Sequence, residues 1–263
     1  MKKYFVIGNP IKHSLSPKLH NFWIKKNNVS AIYDKKQATQ DDLSKICDQI
    51  REKKIDGLNI TVPFKKDIIR NLDELSLEAK KTQSVNTIYS KDNKIVGHNT
   101  DIIGFKFSIQ KVRYDVSKKK ILILGAGGVV SSLIYALSKM GAAKIIVSNR
   151  TKSKAENLKH LFNKIDIVSW GEIPNFDMII NATSIGLKNE DIIDLDFSKV
   201  GNEKFFYDVI YNPAETNFLK IGKKLGNKTE NGKMMFIYQA SASFELWHGI
   251  KVNIDNETIN QIN

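Results

Sequence analysis

The stretch ILILGAGGVVSSLIYALSKMGAAKIIVSNRT, from Ile121 to Thr151, decides the fold. Its four leading apolar residues, Ile121 to Leu124, have the pattern of a parallel strand buried on both faces. A glycine turn follows at Gly125, Gly127 and Gly128, and then Val130, Leu133, Ile134, Leu137 and Met140 recur at helical spacing. Gly141 stands where a helix C-terminus takes a left-handed residue, and Lys144 to Val147 read as a second strand. A β-α-β unit of this kind turns bare backbone N–H groups and a helix N-terminus toward a pyrophosphate, and glycine lets the phosphate come close. The spacing predicts that Gly125, Ala126, Gly127 and Gly128 cradle a dinucleotide within a doubly wound α/β domain.

The end of the second strand predicts which dinucleotide. In NAD-binding units an acidic residue there holds the ribose 2′-hydroxyl. Here the strand runs out in Ser148-Asn149-Arg150-Thr151, with no carboxylate. Arg150 brings a planar fork of donors suited to a 2′-phosphate, Asn149 and Thr151 add neutral donors, and Lys154 adds charge one helical turn on. The expected cofactor is NADP. The plainer reading of Arg150, a surface arginine at a helix start, does not account for the missing acid.

Outward from this unit, strands alternate with helices in both directions. Tyr4 to Gly8 reads as a short buried strand. Ser16-Pro17 then reads as a helix start, with serine capping, proline first in the helix, and Leu19, Phe22 and Trp23 on its apolar face. Thr39 to Asp42 resembles a capping box for a helix that turns Leu43, Ile46, Cys47 and Ile50 inward. Leu58 to Val62 is a strand stopped by Pro63, and strands at Val85–Tyr89 and Lys94–Val96 flank a hairpin turn at Asp92-Asn93. Beyond the dinucleotide unit, strands are expected at Ile165–Val168, Asp177–Ile180 and Phe205–Val209. A long helix from Met234 to Trp247, closed by Gly249, and a short one from Asn256 to Ile262 complete the chain.

Composition bounds what such a chain can be. Its 263 residues, 41% hydrophobic and 26% charged, suit a globular protein of two modest domains. No apolar run reaches membrane-span length, and the basic start Met1-Lys-Lys gives way at Gly8-Asn9-Pro10 too soon for a signal peptide, so a cytoplasmic protein is expected. The net charge of +13 is spread as lysine twos and threes, such as Lys25-Lys26 and Lys118 to Lys120, with no interleaved aromatics. No nucleic-acid or membrane partner is expected. The single cysteine, Cys47, forms no internal disulfide, and the histidines at 13, 20, 98, 160 and 248 lack metal-ligand spacing.

Four further clusters are too polar and irregular for plain core. They are Gly8 to Asn21 with its Ser14-Leu-Ser16-Pro17, Asn59 to Lys65, Val85-Asn86-Thr87 with Asn99-Thr100-Asp101, and Asn231 to Gln239. At these residues the chain resembles the shikimate dehydrogenase family. The cofactor-side segments Gly125 to Gly128, Asn149 to Thr151, Asn181-Ala-Thr-Ser184 and Tyr207-Asp-Val-Ile-Tyr211-Asn-Pro213 follow the same family in order, so the likeness runs from about Tyr4 to Gly249. It implies a Rossmann-type NADP domain at residues 103–231. It also implies an N-terminal α/β substrate domain at 1–102, completed by the C-terminal helices at 232–263.

The resemblance also implies roles. Ser14 and Ser16 match a serine pair that binds the shikimate carboxylate, with Tyr211 assisting. Thr61, Asn86 and Gln239 match residues that hydrogen-bond the ring hydroxyls, and Lys65 and Asp101 match the catalytic pair. Thr183 and Val209 fall in cofactor-side segments, and Gly232 and Met235 match the segment beside the nicotinamide. The expected reaction is reversible NADPH-dependent reduction of 3-dehydroshikimate to shikimate, by a monomer or homodimer. The chemistry is coherent on its own terms: hydride transfer at a ring carbon needs a proton to move on that carbon's oxygen, which Lys65 can give or take while Asp101 orients it. A small ring bearing hydroxyls and a carboxylate calls for short polar side chains on fixed backbone.

Plainer readings stand beside these: Ser16 as a helix cap, Lys65 as a solvated helix start, Asp101 as the N-cap of the helix through Phe107. The chain also departs from the family's pattern. Ile102 stands where glycine is common, Gly232-Lys233-Met234-Met235 where Gly-Leu-Gly-Met is usual, and Val129 and Val130 where small residues follow the glycine turn. None removes a catalytic group. Two alternatives are a broader quinate/shikimate dehydrogenase, against which Ser16 and Arg150 argue, and a non-catalytic NADP-binding sensor, against which the retained Lys65 and Asp101 argue.

Overall fold

The structure, a computed structural model, describes residues 1–188 and 190–262; Asn189 and Asn263 lie outside them. The chain divides into two compact units, Met1–Gly104 together with the residues from Ile237 onward, and Phe105–Phe236.

The first unit begins with β1 (Lys2–Gly8), α1 (Ser16–Lys26), β2 (Ala31–Gln37), α2 (Asp42–Arg51) and β3 (Gly57–Ile60). After a 3-10 turn at Asp67–Asn71 come β4 (Glu74–Leu75), α3 (Leu77–Thr82), β5 (Thr87–Lys91), β6 (Lys94–His98) and α4 (Asp101–Lys111), within which the unit boundary falls. The strands form one sheet in the order β2-β1-β3-β5-β6-β4. β1 lies parallel to β2 and β3, while β5 runs antiparallel to both β3 and β6. The β5–β6 hairpin turns at Asp92 and Asn93, whose φ of 51° and 60° are the paired positive values of a type I′ turn. Ile7, Leu43, Ile46, Cys47, Leu58 and Ile88 meet in a single core beneath this sheet. Burial pushes the Cys47 thiol up to about 12, which makes it an inert core residue.

Three local expectations change. Leu15, not Ser16, occupies the N-cap of α1, and no side chain caps that helix. The Ser16 N–H instead points to Ser14 Oγ at 3.4 Å, and Ser16 and Pro17 are the first residues of the helix proper. At α2 the Asp42 carboxylate accepts from both the N–H (2.8 Å) and the hydroxyl (2.7 Å) of Thr39, so only the acidic half of a capping box forms. β3 ends at Ile60, because the Phe64 N–H bonds back to the Thr61 carbonyl and closes a turn two residues earlier than Pro63 suggested.

The second unit holds β7 (Lys120–Leu124), α5 (Val130–Lys139), β8 (Lys144–Ser148), α6 (Lys152–Leu161), β9 (Ile165–Val168), β10 (Met178–Asn181), β11 (Phe205–Asp208), α7 (Asn217–Lys224) and β12 (Lys228–Glu230). Every pairing is parallel, in the order β12-β11-β10-β7-β8-β9. Counted from β7, that is the 3-2-1-4-5-6 order of a Rossmann sheet, whose strand order reverses between β7 and β10. β10 and β11 are buried at every residue and β7 at every residue after its first, as expected of central strands covered on both faces. α5 ends as expected: Gly141, at φ 83°, bonds to the Ser138 carbonyl while the Ala142 N–H reaches Leu137, a Schellman closure.

α8 (Lys233–His248) crosses the second boundary, and α9 (Asn256–Asn260) follows. From Ile237 on, the chain returns to the first unit. Trp247 Nε1 donates to the Ile88 carbonyl of β5 at 3.0 Å, and Trp23 Nε1 reaches Thr258 Oγ1 at 3.4 Å.

Candidate active site

The first unit gathers its polar side chains around Lys65. Buried Phe64 anchors the turn after β3, and the Val85 N–H holds the Lys65 carbonyl at 2.8 Å, which fixes the backbone from which the lysine extends. Lys65 Nζ donates to Asp101 Oδ2 at 2.5 Å, with only 12% and 7% of the two side chains exposed. Asp101 is the first residue of α4, and its N–H is held by Asn99 Oδ1 at 3.1 Å. Its second carboxylate oxygen accepts from Asn86 Nδ2 at 2.9 Å. Asn86 cannot turn over freely, because its carbonyl oxygen takes the Thr100 N–H at 2.8 Å. Gln239 of α8 brings Oε1 to 3.3 Å from Asn86 Nδ2 and 3.5 Å from Thr100 Oγ1. Lys65, Asp101, Asn86 and Gln239 therefore form one connected group, drawn from a turn, a helix start, a strand approach and the returning C-terminal helix.

Ser14 and Ser16 are neighbours through the Ser16 N–H. Ser16 is buried, and its hydroxyl lies beside the phenol of Tyr33, which burial drives well above its usual range and Ser16 draws part of the way back. Thr61 is half-buried after β3, with its Cγ2 against Gly8, where a β-carbon would approach to 2.5 Å. Tyr211, Gly232 and Met235 belong to the second unit, where Tyr211 stacks on Phe236 with ring centroids 4.6 Å apart.

Sequence reasoning gave no role to Tyr33, Asn59, Thr87, Thr100 or Ser243, yet all join the same buried network. Tyr33 donates to Asn59 Oδ1 at 2.7 Å, and Asn59 Nδ2 reaches the Asn86 carbonyl, Thr87 Oγ1 and Ser243 Oγ at 3.0–3.1 Å. One signal was available: Gln239 and Ser243 sit four residues apart on one helix face, among the apolar Phe236, Ala240 and Phe244.

The second unit carries the nucleotide-side residues at the C-terminal ends of its strands. Gly125 follows β7 with φ 110°, and a β-carbon there would lie 2.7 Å from the Ala182 carbonyl oxygen after β10. The glycine turn thus sits at the reversal of strand order. At Gly127 a β-carbon would meet only that same oxygen, at 3.9 Å, so the space beside the turn is open to a ligand. α5 has no side-chain N-cap, and the positive end of its dipole stands at the glycine turn, where it favours a phosphate. Gly128 continues the turn into α5. Arg150, Thr151 and Lys154 are exposed at the end of β8 and the start of α6, and Asn149 Nδ2 ties the loop through the Thr151 carbonyl at 2.8 Å. This cradle of bare backbone with a cationic rim fits a phosphorylated dinucleotide.

Thr183 and Val209 lie on loops built around buried Asn181 and Asp208. Asn181 Oδ1 accepts from the Thr183 N–H and hydroxyl, while Asp208 accepts from Asn181, the Ile210 N–H and Thr216 Oγ1. Burial raises the Asp208 carboxyl to about 6 against these three donors. Gly232 packs directly on Val209, and Met235 is buried one turn into α8. Among the described residues no group of three or more His, Cys, Asp or Glu side chains is placed to hold a metal ion. No helix among them is long and apolar enough to cross a membrane.

Comparison with known proteins agrees across the chain. Residues 6–88 match the family model for the shikimate dehydrogenase substrate binding domain, and residues 108–211 that for shikimate / quinate 5-dehydrogenase. Shikimate dehydrogenase (NADP(+)) of Pelagibacter ubique is 62% identical over 261 residues, covering 99% of this chain and 98% of that one. The crystal structure of shikimate dehydrogenase from Aquifex aeolicus superposes with a TM-score of 0.92 at 37% identity, over 100% of this chain and 97% of its own. That of the Thermus thermophilus enzyme, in complex with NADP(H) and shikimate, gives 0.90 at 28% identity, over 100% and 98%. With both halves matched in order and one relative identical at well over half of all positions, the chain belongs to the shikimate dehydrogenase family.

Proposed function

We infer that this chain catalyses the NADP-dependent interconversion of 3-dehydroshikimate and shikimate, a step of aromatic amino-acid biosynthesis. The observation that carries the catalytic assignment is the 2.5 Å Lys65–Asp101 contact, nearly closed to solvent and braced by Asn86. A lysine held this way presents one ammonium in one place, which a surface ion pair does not.

The roles follow from chemistry. Bound NADPH supplies the hydride. Lys65 gives a proton to the oxygen of the ring carbonyl as it becomes a hydroxyl, and takes it back in the reverse direction. Asp101 holds the ammonium in line, and Asn86 holds Asp101. The Ser14 and Ser16 hydroxyls suit the carboxylate, assisted by Tyr211, and Thr61, Asn86 and Gln239 suit the ring hydroxyls. Gly125, Ala126, Gly127 and Gly128 cradle the pyrophosphate, and Asn149, Arg150, Thr151 and Lys154 face the 2′-phosphate. Thr183, Val209, Gly232 and Met235 line the approach of the nicotinamide. Both substrates are small water-soluble anions, which supports an enzyme that works on small molecules; we place it in the cytoplasm as a monomer or homodimer.

Purified protein is expected to form NADPH from NADP and shikimate. Lys65→Ala should lower kcat by about 10²- to 10⁴-fold while NADPH titrates the variant by fluorescence as it does the wild type. Full turnover in Lys65→Ala would remove the lysine from the chemistry. Absence of any shikimate-dependent NADPH formation in the wild type would sink the enzyme reading altogether.

A further inference from the structure

The hydrogen bonds around Lys65 continue far past the residues that a substrate could reach. From Asp101 they run to Asn86 and Thr100, on to Thr87, Ser243 and Asn59, then to Tyr33 and finally to the neighbourhood of Ser16. Ser243, Thr87 and Thr100 are fully buried, and Tyr33, Asn59 and Asn86 nearly so. Filling this space with apolar side chains would cost the fold less, since each buried polar group must find a partner and a half-satisfied network is worse than none. The chain of hydroxyls and amides is instead continuous, and it joins the two ends of the expected substrate site.

Proton accounting gives the network a direction. Thr87 spends its one proton on Asn86 Oδ1 at 3.0 Å, so the 2.8 Å contact between the two hydroxyls takes the proton of Ser243, whose oxygen also lies 3.1 Å from the Gln239 carbonyl one turn back in α8. The lone pairs of Ser243 are then left to accept from Asn59 Nδ2 (3.1 Å) and Thr100 (3.2 Å). Tyr33 spends its proton on Asn59 Oδ1, which sets the Asn59 amide with its NH₂ toward Ser243, Thr87 and the Asn86 carbonyl. Thr87 and the Thr100 N–H both point at Asn86 Oδ1, which leaves the Asn86 NH₂ facing Asp101. Each amide is therefore held in one of its two orientations by the group behind it.

We propose that Tyr33 and Ser243 are positioning residues for the dehydrogenase reaction, holding a buried hydrogen-bond chain that runs from Tyr33, beside Ser16, to Asp101 and sets the orientation of Asn86 and, through it, of Asp101 and Lys65. This rests on the Lys65–Asp101 reading above. Neither residue is placed to touch the reacting atoms. Tyr33 has two connections, one beside the carboxylate-side serine and one through Asn59 toward the catalytic pair. Ser243 has only the second.

The two connections give the test its split. Steady-state shikimate oxidation is measured for Tyr33→Phe, Ser243→Ala, the double variant and Lys65→Ala, with thermal midpoint and NADPH affinity recorded for each. Misplacing a catalytic group by a fraction of an ångström should lower kcat by about tenfold in each single variant. NADPH affinity should stay unchanged, and the shikimate KM should rise in Tyr33→Phe but not in Ser243→Ala. Because both act on Asn59, the double variant should lose little more than the worse single one. The proposal is overturned if both singles keep kcat within about twofold of wild type, or if their losses simply multiply, while Lys65→Ala is inactive. If Ser243→Ala does not fold, Tyr33→Phe alone decides, since it removes one oxygen and keeps the ring. An active Lys65→Ala would instead overturn the parent reading.

Discussion

At the scale of single residues, charge and burial make the sharpest expectations. Arg150 is exposed beside the glycine turn, and the neutral ends of Asn149 and Thr151 offer no substitute for its charge. Arg150→Ala should weaken NADP by about ten- to a hundredfold, the value of a charge-assisted bidentate contact, and leave NAD nearly unaffected; equal losses for both cofactors would show that the arginine does not read the 2′-phosphate. His20 makes a different prediction. It is wholly buried, stacked on Tyr33 at 4.2 Å, and neither ring nitrogen finds a partner among the described residues. Burial, with His248 nearby, pulls it down to about 3. The unfolded chain therefore takes up a proton near pH 6.5 that the folded one refuses, so stability is complete above pH 6.5 and falls on acidification toward pH 3. The loss is about 1.4 kcal/mol per pH unit. Asp208, raised to about 6 in the other unit, has the opposite sign: protonation between pH 6 and 3.8 favours its folded form. The readout must then be confined to one unit. In Trp170→Phe protein the remaining tryptophans, Trp23 and Trp247, both report on the first unit. Its urea midpoint should drop between pH 7 and 5, and His20→Phe, which keeps the stack, should lessen that drop, leaving the part due to His248, which burial pulls down to about 4, and to His98.

At the scale of elements, close backbone approach decides more than propensity. α8 begins against the loop after β11, where a β-carbon on Gly232 would lie 2.1 Å from the Val209 carbonyl oxygen. That atom is backbone and cannot swing away. Gly232→Ala should cost about 3 kcal/mol in the second unit and weaken NADPH binding; an unchanged melting curve would mean that the start of α8 is free to shift. Elements with strong signals were legible from the sequence alone. The β7-turn-α5-β8 unit was readable because its strands are continuous apolar runs and its helix has a clean 3.6-residue period. β2 was not, since it is an edge strand with only Ala31 and Tyr33 buried, an exposed Ile32 between them and polar residues after them, so it shows no apolar–polar alternation to read. Its obscurity also hid Tyr33. Ser16 misled in the other direction: a serine before proline looks like a cap, but the helix starts at that serine and its hydroxyl turns to Tyr33 instead. Lys65, Asp101 and Asn86 were legible only as members of a family pattern, because their nearness depends on contacts between residues up to 36 positions apart.

At the scale of the whole molecule, the two units differ in how the chain closes them. The second is one continuous run from Phe105 to Phe236, and all its strand pairings lie inside that run. The first is split, with its sheet and the Lys65–Asp101 pair early in the chain and α8 and α9 late in it. Trp247 fits so closely over Gly57 that a β-carbon there would sit 2.5 Å from its indole nitrogen, and Ser243 and Gln239 complete the polar network around Asn86. During synthesis on a ribosome the order of completion is therefore inverted. The segment made first must wait, with the face of β3 and β5 opposite the Leu58–Ile88 core uncovered, while the later unit can already fold. Only when the last residues emerge does the Lys65 site receive its final wall. A nascent chain stalled before α8 is released would carry a formed glycine turn and β7–β12 sheet beside an uncovered Lys65 site, a state in which cofactor could be held but shikimate could not be turned over.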